Sequence, residues 1–127
     1  MSQAAALDDR GLPAGYPFKP DWEVTPREAQ AASDAGEALL IDVRNPAEVA
    51  TCAIGGAVTV PLNTLPQQWE ALQQQRDGKK LVIFCHHGGR SLRATEFLRE
   101  QGIEDVVSMA GGIDLWAIDL DPSLARY

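Results

Sequence analysis

The chain has 127 residues, enough for one domain around a single hydrophobic core. Lys and Arg number 11 against 18 Asp and Glu, a net charge of −7, which argues against nucleic acid or an anionic membrane surface as the main partner. The apolar residues fall in short runs, far below the ~20 that span a bilayer, and MSQAAALDDRGLPAG has neither the basic nor the apolar region of a secretory signal, so the expected location is cytoplasmic.

Residues 1–20 show no periodicity, and Pro13, Pro17 and Pro20 interrupt any regular element, so an extended, loosely packed lead-in is expected ahead of a domain over 21–127. DWEV (21–24) predicts a short strand. Thr25-Pro26-Arg27-Glu28 has the pattern of a capping box with proline in the first helical turn, and Gly36 stops the helix that follows. LLIDV (39–43) predicts a buried strand that runs into a polar corner, Asp42-Val43-Arg44-Asn45-Pro46. AVTV (57–60) predicts another strand. Leu65, Trp69 and Leu72 recur at helical spacing up to about Gln75. KLVIF (80–84) predicts a central strand; Ala94, Phe97 and Leu98 mark one face of a helix that begins near Ser91 and closes at Gly102. DVVS (105–108) is the last expected strand, and GGIDLWAI turns into a short helix.

Strands and helices that alternate, with unbroken apolar strands, define an α/β fold with a mostly parallel sheet and helices on both faces. Ligands of such sheets bind outside the carboxyl ends of the strands. Cys85 and Arg44 both fall at such ends. After Phe84, the stretch Cys85-His86-His87-Gly88-Gly89-Arg90-Ser91 offers successive backbone N–H groups just ahead of a helix. Gly88 and Gly89 let the backbone curl so that those donors converge, the helix adds the positive end of its dipole, and Arg90 adds a permanent cation. Such a cradle favours the thiolate over the thiol, which makes Cys85 a candidate nucleophile that needs no general base. The other cysteine, Cys52, has no such sequel and reads as a structural or incidental thiol; both are expected to be free in a reducing compartment.

These residues resemble the rhodanese-like sulfurtransferase family in its single-domain form. Residues 85–91 match the family's active-site pattern C-x-x-G-x-R-S/T. LLIDVRNPAE resembles its aspartate-valine-arginine strand end, CAIGGAVTVPL its G-H-I-P-G-A segment, and MAGGIDLW its terminal glycine-tryptophan block. The four blocks occur in family order over residues 39–116. The resemblance implies a five-stranded parallel sheet and sulfur transfer by covalent catalysis. Cys85 would take the outer sulfur of a small sulfane donor as a persulfide and yield it to cyanide or a thiol, with no cofactor. It also admits a sulfur-relay protein as partner. His86, His87, Gly88, Gly89, Arg90 and Ser91 would bind the substrate and the persulfide, and Asp42 and Arg44 would support the loop or line its entrance.

Two departures from the pattern matter. Ala53 and Gly55 replace a histidine and a proline, which should alter a turn rather than the chemistry. His86 and His87 stand where thiosulfate-using members often carry lysine or arginine, which weakens thiosulfate as the natural donor. Adjacent histidines in a tight loop rarely converge on one ion, so no metal is expected. Cys85 and Arg90 enclose one residue fewer than the loop of related dual-specificity phosphatases, which fits sulfur better than a phosphoryl group. A sulfur carrier or interaction module with low turnover alone remains the alternative.

Overall fold

The computed structural model describes residues 7–127; the first six residues of the expected lead-in lie outside the described residues. The chain forms β1 (Glu23–Val24), α1 (Pro26–Asp34), β2 (Ala38–Asp42), α2 (Pro46–Thr51), β3 (Val58–Thr59), α3 (Leu65–Gln75), β4 (Lys80–Phe84), α4 (Gly89–Glu100), β5 (Val106–Met109) and α5 (Gly112–Asp119), with a 3-10 turn over Leu62–Thr64. The strands make one sheet in the order β1-β5-β4-β2-β3, and every pairing is parallel. The five-stranded parallel sheet expected from the sequence is therefore present.

Local chemistry accounts for most of these elements. Thr25 Oγ1 accepts from Glu28 N at 3.1 Å while Glu28 Oε1 accepts from Thr25 N at 2.8 Å, closing the capping box of α1. Helix α2 was not anticipated: the corner after β2 continues into six helical residues. Asn45 and Glu48 form a second capping box there, with Pro46 in the first turn. Helix α4 starts at Gly89, slightly ahead of the expected start at Ser91, because Gly88 adopts φ 117° and turns the chain directly into it.

Alternation along β4 divides the core. Leu81 and Ile83 face α3 and α4 in a cluster with Ile41, Leu65, Leu72 and Leu98. Val82 and Phe84 face α1 and α5, among Leu40, Met109, Ile113 and Trp116. Each of these buried side chains contributes about 1.5–3 kcal/mol. The period of two carries past the end of β4, so Cys85 falls on the α3/α4 side, 1% exposed.

The chain leaves β2 toward one edge of the sheet, through α2 to β3. It leaves β4 toward the other edge, through α4 to β5. The carboxyl ends of β2 and β4 thus flank the point where the winding direction changes, the place where open α/β sheets bind ligands. Residues 7–20 are held more firmly than their sequence suggests. Leu12 is buried against Ala110 and Leu115. The Tyr16 hydroxyl accepts from Gly111 N at 2.9 Å and donates to Glu23 Oε2 at 3.1 Å.

Candidate active site

The loop after β4 wraps its backbone around the Cys85 sulfur. Gly88 N lies 3.1 Å and Ser91 N 3.4 Å from Cys85 Sγ, both donating to it, and Ser91 Oγ sits 3.5 Å away. Two backbone N–H groups are thus aimed at one sulfur, while the thiol itself faces the Ser91 oxygen. The Ser91 hydroxyl is held in turn by the Gly88 carbonyl at 3.1 Å and by Ser108 Oγ of β5 at 2.7 Å.

What keeps these N–H groups pointing inward is the start of α5. Ile113 N donates to the Cys85 carbonyl at 2.9 Å, and Asp114 N to the His86 carbonyl at 3.1 Å. The loop carbonyls are thereby turned outward into the α5 N-terminus. Gly112 makes this approach possible: it adopts φ +63°, and a Cβ there would collide with the carbonyl oxygens of both Cys85 and His86. The Gly111-Gly112 pair is therefore a turn that also permits close packing.

The remaining candidate residues are distributed less simply. Arg90 does not reach the sulfur; its guanidinium grips Glu48 of α2 through Nη1–Oε1 at 2.6 Å and Nη2–Oε2 at 3.0 Å. This bidentate pair is joined by the Tyr127 hydroxyl, which donates to Glu48 Oε2 at 2.8 Å. Hydrogen bonds from Arg90 first, then from Tyr127, outweigh burial and hold Glu48 down at about 2, while burial pushes Tyr127 up to about 12.

His86 lies flat on Tyr127, ring centroids 3.9 Å apart, with His87 3.8 Å away on the loop. Burial and the neighbouring His87 push His86 below the ordinary histidine value, so it is mainly neutral at pH 7. Its Nε2 is buried without a hydrogen-bond partner. His87 is exposed, with Nδ1 4.0 Å from Asp114 Oδ2.

Asp42 and Arg44 form a fully buried ion pair, Nη2–Oδ2 2.7 Å. Arg44 also donates to the Cys52 carbonyl at 2.7 Å, the Glu48 carbonyl at 3.2 Å and the Tyr127 hydroxyl at 3.0 Å. The pair thus pins α2 and connects to the loop at one remove, through Glu48 and Arg90. Cys52 caps α2, half-buried, its sulfur 3.9 Å from Arg44 Nη1.

Glu48, Ser108 and Tyr127 were absent from the sequence-based site. Glu48 had a readable signal, since Asn45-Pro46-Ala47-Glu48 repeats the logic of Thr25-Pro26-Arg27-Glu28. Ser108 and Tyr127 had none, because their partners are distant in sequence. Beside the loop, Val43, Leu62, Leu65, Phe97, Arg90 and Arg93 line a cleft of about 520 Å³.

A thiol cradled by backbone N–H groups at the winding switch of a parallel α/β sheet is the arrangement expected of a thiol-dependent transferase. The pattern that defines the Rhodanese-like domain matches residues 25–119. This chain belongs to that family. It is 36% identical over 89 residues to a protein named sulfurtransferase from Allochromatium vinosum, covering 70% of this chain and 80% of that one. A probable adenylyltransferase/sulfurtransferase MoeZ of Mycobacterium tuberculosis is 35% identical over 82% of this chain, which spans only 26% of MoeZ. Among solved structures, the human single-domain sulfurtransferase TSTD1 superposes with a TM-score of 0.64 at 30% identity, covering 74% of this chain and 93% of TSTD1. Together these support sulfur transfer as the broad activity. Among the described residues, no helix is long and apolar enough to cross a membrane.

Proposed function

We propose that the protein transfers sulfane sulfur through a persulfide on Cys85, with residues 21–127 as the catalytic domain acting in the cytoplasm. The Cys85 thiolate attacks the outer sulfur of the donor. A new S–S bond forms, the donor's own bond to that sulfur breaks, and the leaving group departs with the electron pair. A thiol or cyanide then attacks the outer sulfur and restores the thiolate. The observation that carries this reading is the convergence of Gly88 N and Ser91 N on Cys85 Sγ, since the same donors can stabilise the persulfide anion.

Within this reading, Arg90 acts as a cation beside the loop, positioned by Glu48, and Asp42 and Arg44 hold α2 in place for it. His86 and His87 line the loop without supplying a fixed positive charge, which argues against tight binding of thiosulfate. The thiosulfate:cyanide reaction is then an assay activity with a high KM. Multidomain relatives such as MoeZ favour a second reading, in which the domain carries sulfur for a partner protein and turns over slowly alone.

Intact-protein mass spectrometry after incubation with a sulfane donor tests both readings. An adduct of about 32 Da, one sulfur atom, is expected on Cys85 and not on Cys52. Discharge of the adduct by cyanide or a small thiol supports the enzyme. Its persistence against both supports the carrier. Adduct formation in Cys85→Ser equal to wild type would overturn the persulfide mechanism.

A further inference from the structure

The segment ahead of β1 reaches the loop that carries Cys85. Tyr16 Oη accepts from Gly111 N at 2.9 Å and donates to Glu23 Oε2 at 3.1 Å. An amide N–H can only donate, so the hydroxyl proton is left for Glu23 and the direction of the relay is set. Glu23 is buried, and its other oxygen accepts from Lys19 N at 2.9 Å. Burial first, and then Glu23, push the Tyr16 hydroxyl up to about 12 against the Gly111 contact, so it keeps its proton at neutral pH.

The same hydroxyl lies against the loop. A Cβ on Gly88 would sit 3.6 Å from Gly111 N and 3.7 Å from Tyr16 Oη, so the bare Cα of Gly88 packs on the Tyr16–Gly111 pair. Gly88 supplies the nearer of the two N–H donors to Cys85 Sγ, at 3.1 Å, and does so at φ 117°. Glycine tolerates many other values, so its surroundings must hold this one. Gly111 also opens the turn whose next residues, Ile113 and Asp114, hold the Cys85 and His86 carbonyls. On the same edge of the sheet, Glu23 is the register partner of Ser108, whose hydroxyl holds that of Ser91. Both residues that donate to the sulfur are thus backed from this side.

We propose that Tyr16 is a positioning residue for sulfur transfer, which keeps the Gly88 N–H aimed at Cys85 by fixing the Gly111–Gly112 turn behind it. The proposal rests on the sulfur-transfer reading and adds to its machinery a residue from outside 21–127. The segment does not depend on that hydroxyl for its own attachment. Leu12 is buried, and Arg27 donates both to the Asp9 carbonyl at 3.0 Å and to Asp119 of α5 at 2.8 Å. Tyr16→Phe therefore removes the relay and keeps the segment. It leaves Gly111 N and Glu23 Oε2 without the partner they share.

The test compares Tyr16→Phe with Ile103→Val, a buried substitution just ahead of β5, at the opposite end of the sheet from the loop. A lost core methylene and a lost hydrogen bond destabilise a fold to a similar degree, so the second variant reports what stability alone does. In NMR spectra of the reduced protein, the Gly88, Ser91 and Gly111 amide signals should move in Tyr16→Phe and stay in place in Ile103→Val. Mass spectrometry during incubation with inorganic polysulfide should show Cys85 loading slowed roughly tenfold in Tyr16→Phe, the value of one hydrogen bond, and unchanged in Ile103→Val. A loading rate in Tyr16→Phe equal to wild type, or equal slowing in both variants, would overturn the proposal. Wild type still loads in either outcome, so the transfer reading would stand. No sulfur uptake by wild-type Cys85 would instead overturn transfer, and with it the role of Tyr16 in it.

Discussion

Arg90 and Glu48, 42 residues apart, are locked together by two hydrogen bonds of 2.6 and 3.0 Å, so the cation of the candidate loop is positioned by a helix outside it. Helix α2 is in turn fastened by the buried Asp42–Arg44 pair and by Tyr127. The loop is therefore supported from two sides. The start of α5 holds its carbonyls, and α2 holds its arginine.

The Glu48 contact sets a pH dependence of stability. Its carboxyl titrates at about 2 in the fold and near 4.5 when unfolded, so the contribution is complete above 4.5 and is lost as the pH falls toward 2. Urea unfolding should show that wild type loses about 1–2 kcal/mol more than Glu48→Gln across that window, below the full linkage value because Arg90 is partly in water. Parallel pH profiles for the two proteins would refute the coupling.

Removing Asp42 alone leaves Arg44 charged and buried. Asp42→Ala should cost about 3–5 kcal/mol in chemical denaturation. The double variant Asp42→Leu with Arg44→Met should recover a large part of that loss, since it removes both charges. A double variant no more stable than the single one would show that the other hydrogen bonds of Arg44 dominate.

Gly112→Ala forces a Cβ into the carbonyls of Cys85 and His86 at a left-handed backbone position. The substitution should destabilise the protein by at least about 2 kcal/mol and scatter the N–H groups around the sulfur. Alkylation of Cys85 at neutral pH should slow together with sulfur loading. Normal rates of both would mean that the α5 contact does not shape the loop.

His86 tests the role of Tyr127. Burial and His87 hold His86 below the ordinary histidine value of 6.5, so the unfolded chain binds its proton more readily and stability rises with pH up to that value. Tyr127→Ala removes the stacked ring, and NMR titration should then show the His86 midpoint moving up toward 6.5. In wild type, kcat/KM for thiosulfate should rise as the pH falls toward about 6, where histidine gains charge. His86→Lys should lower the KM and flatten that rise. Tight thiosulfate binding by wild type at alkaline pH would remove the histidines as the limiting charge.

The sequence by itself determined the features whose information is local. The capping box at Thr25–Glu28, the alternation in KLVIF and the glycines after Cys85 each act within a turn or a strand, through hydrogen bonds and side-chain periods that need no distant partner. The same locality made the family legible, and with it the loop that carries the candidate nucleophile Cys85. Helix α2 was equally local, since Asn45 and Glu48 repeat the Thr25 pattern, but it is short and buries no side chain, so no apolar period marked it. The tertiary structure alone decided the rest. The strand order depends on which way each crossover turns, and the apolar strands would pair acceptably in several orders. The pairing of Arg90 with Glu48 depends on α2 docking beside α4, and the stacking of Tyr127 on His86 joins segments that no sequence period relates. A guanidinium finds the carboxylate that folding brings within reach, and residue spacing does not specify which one that is.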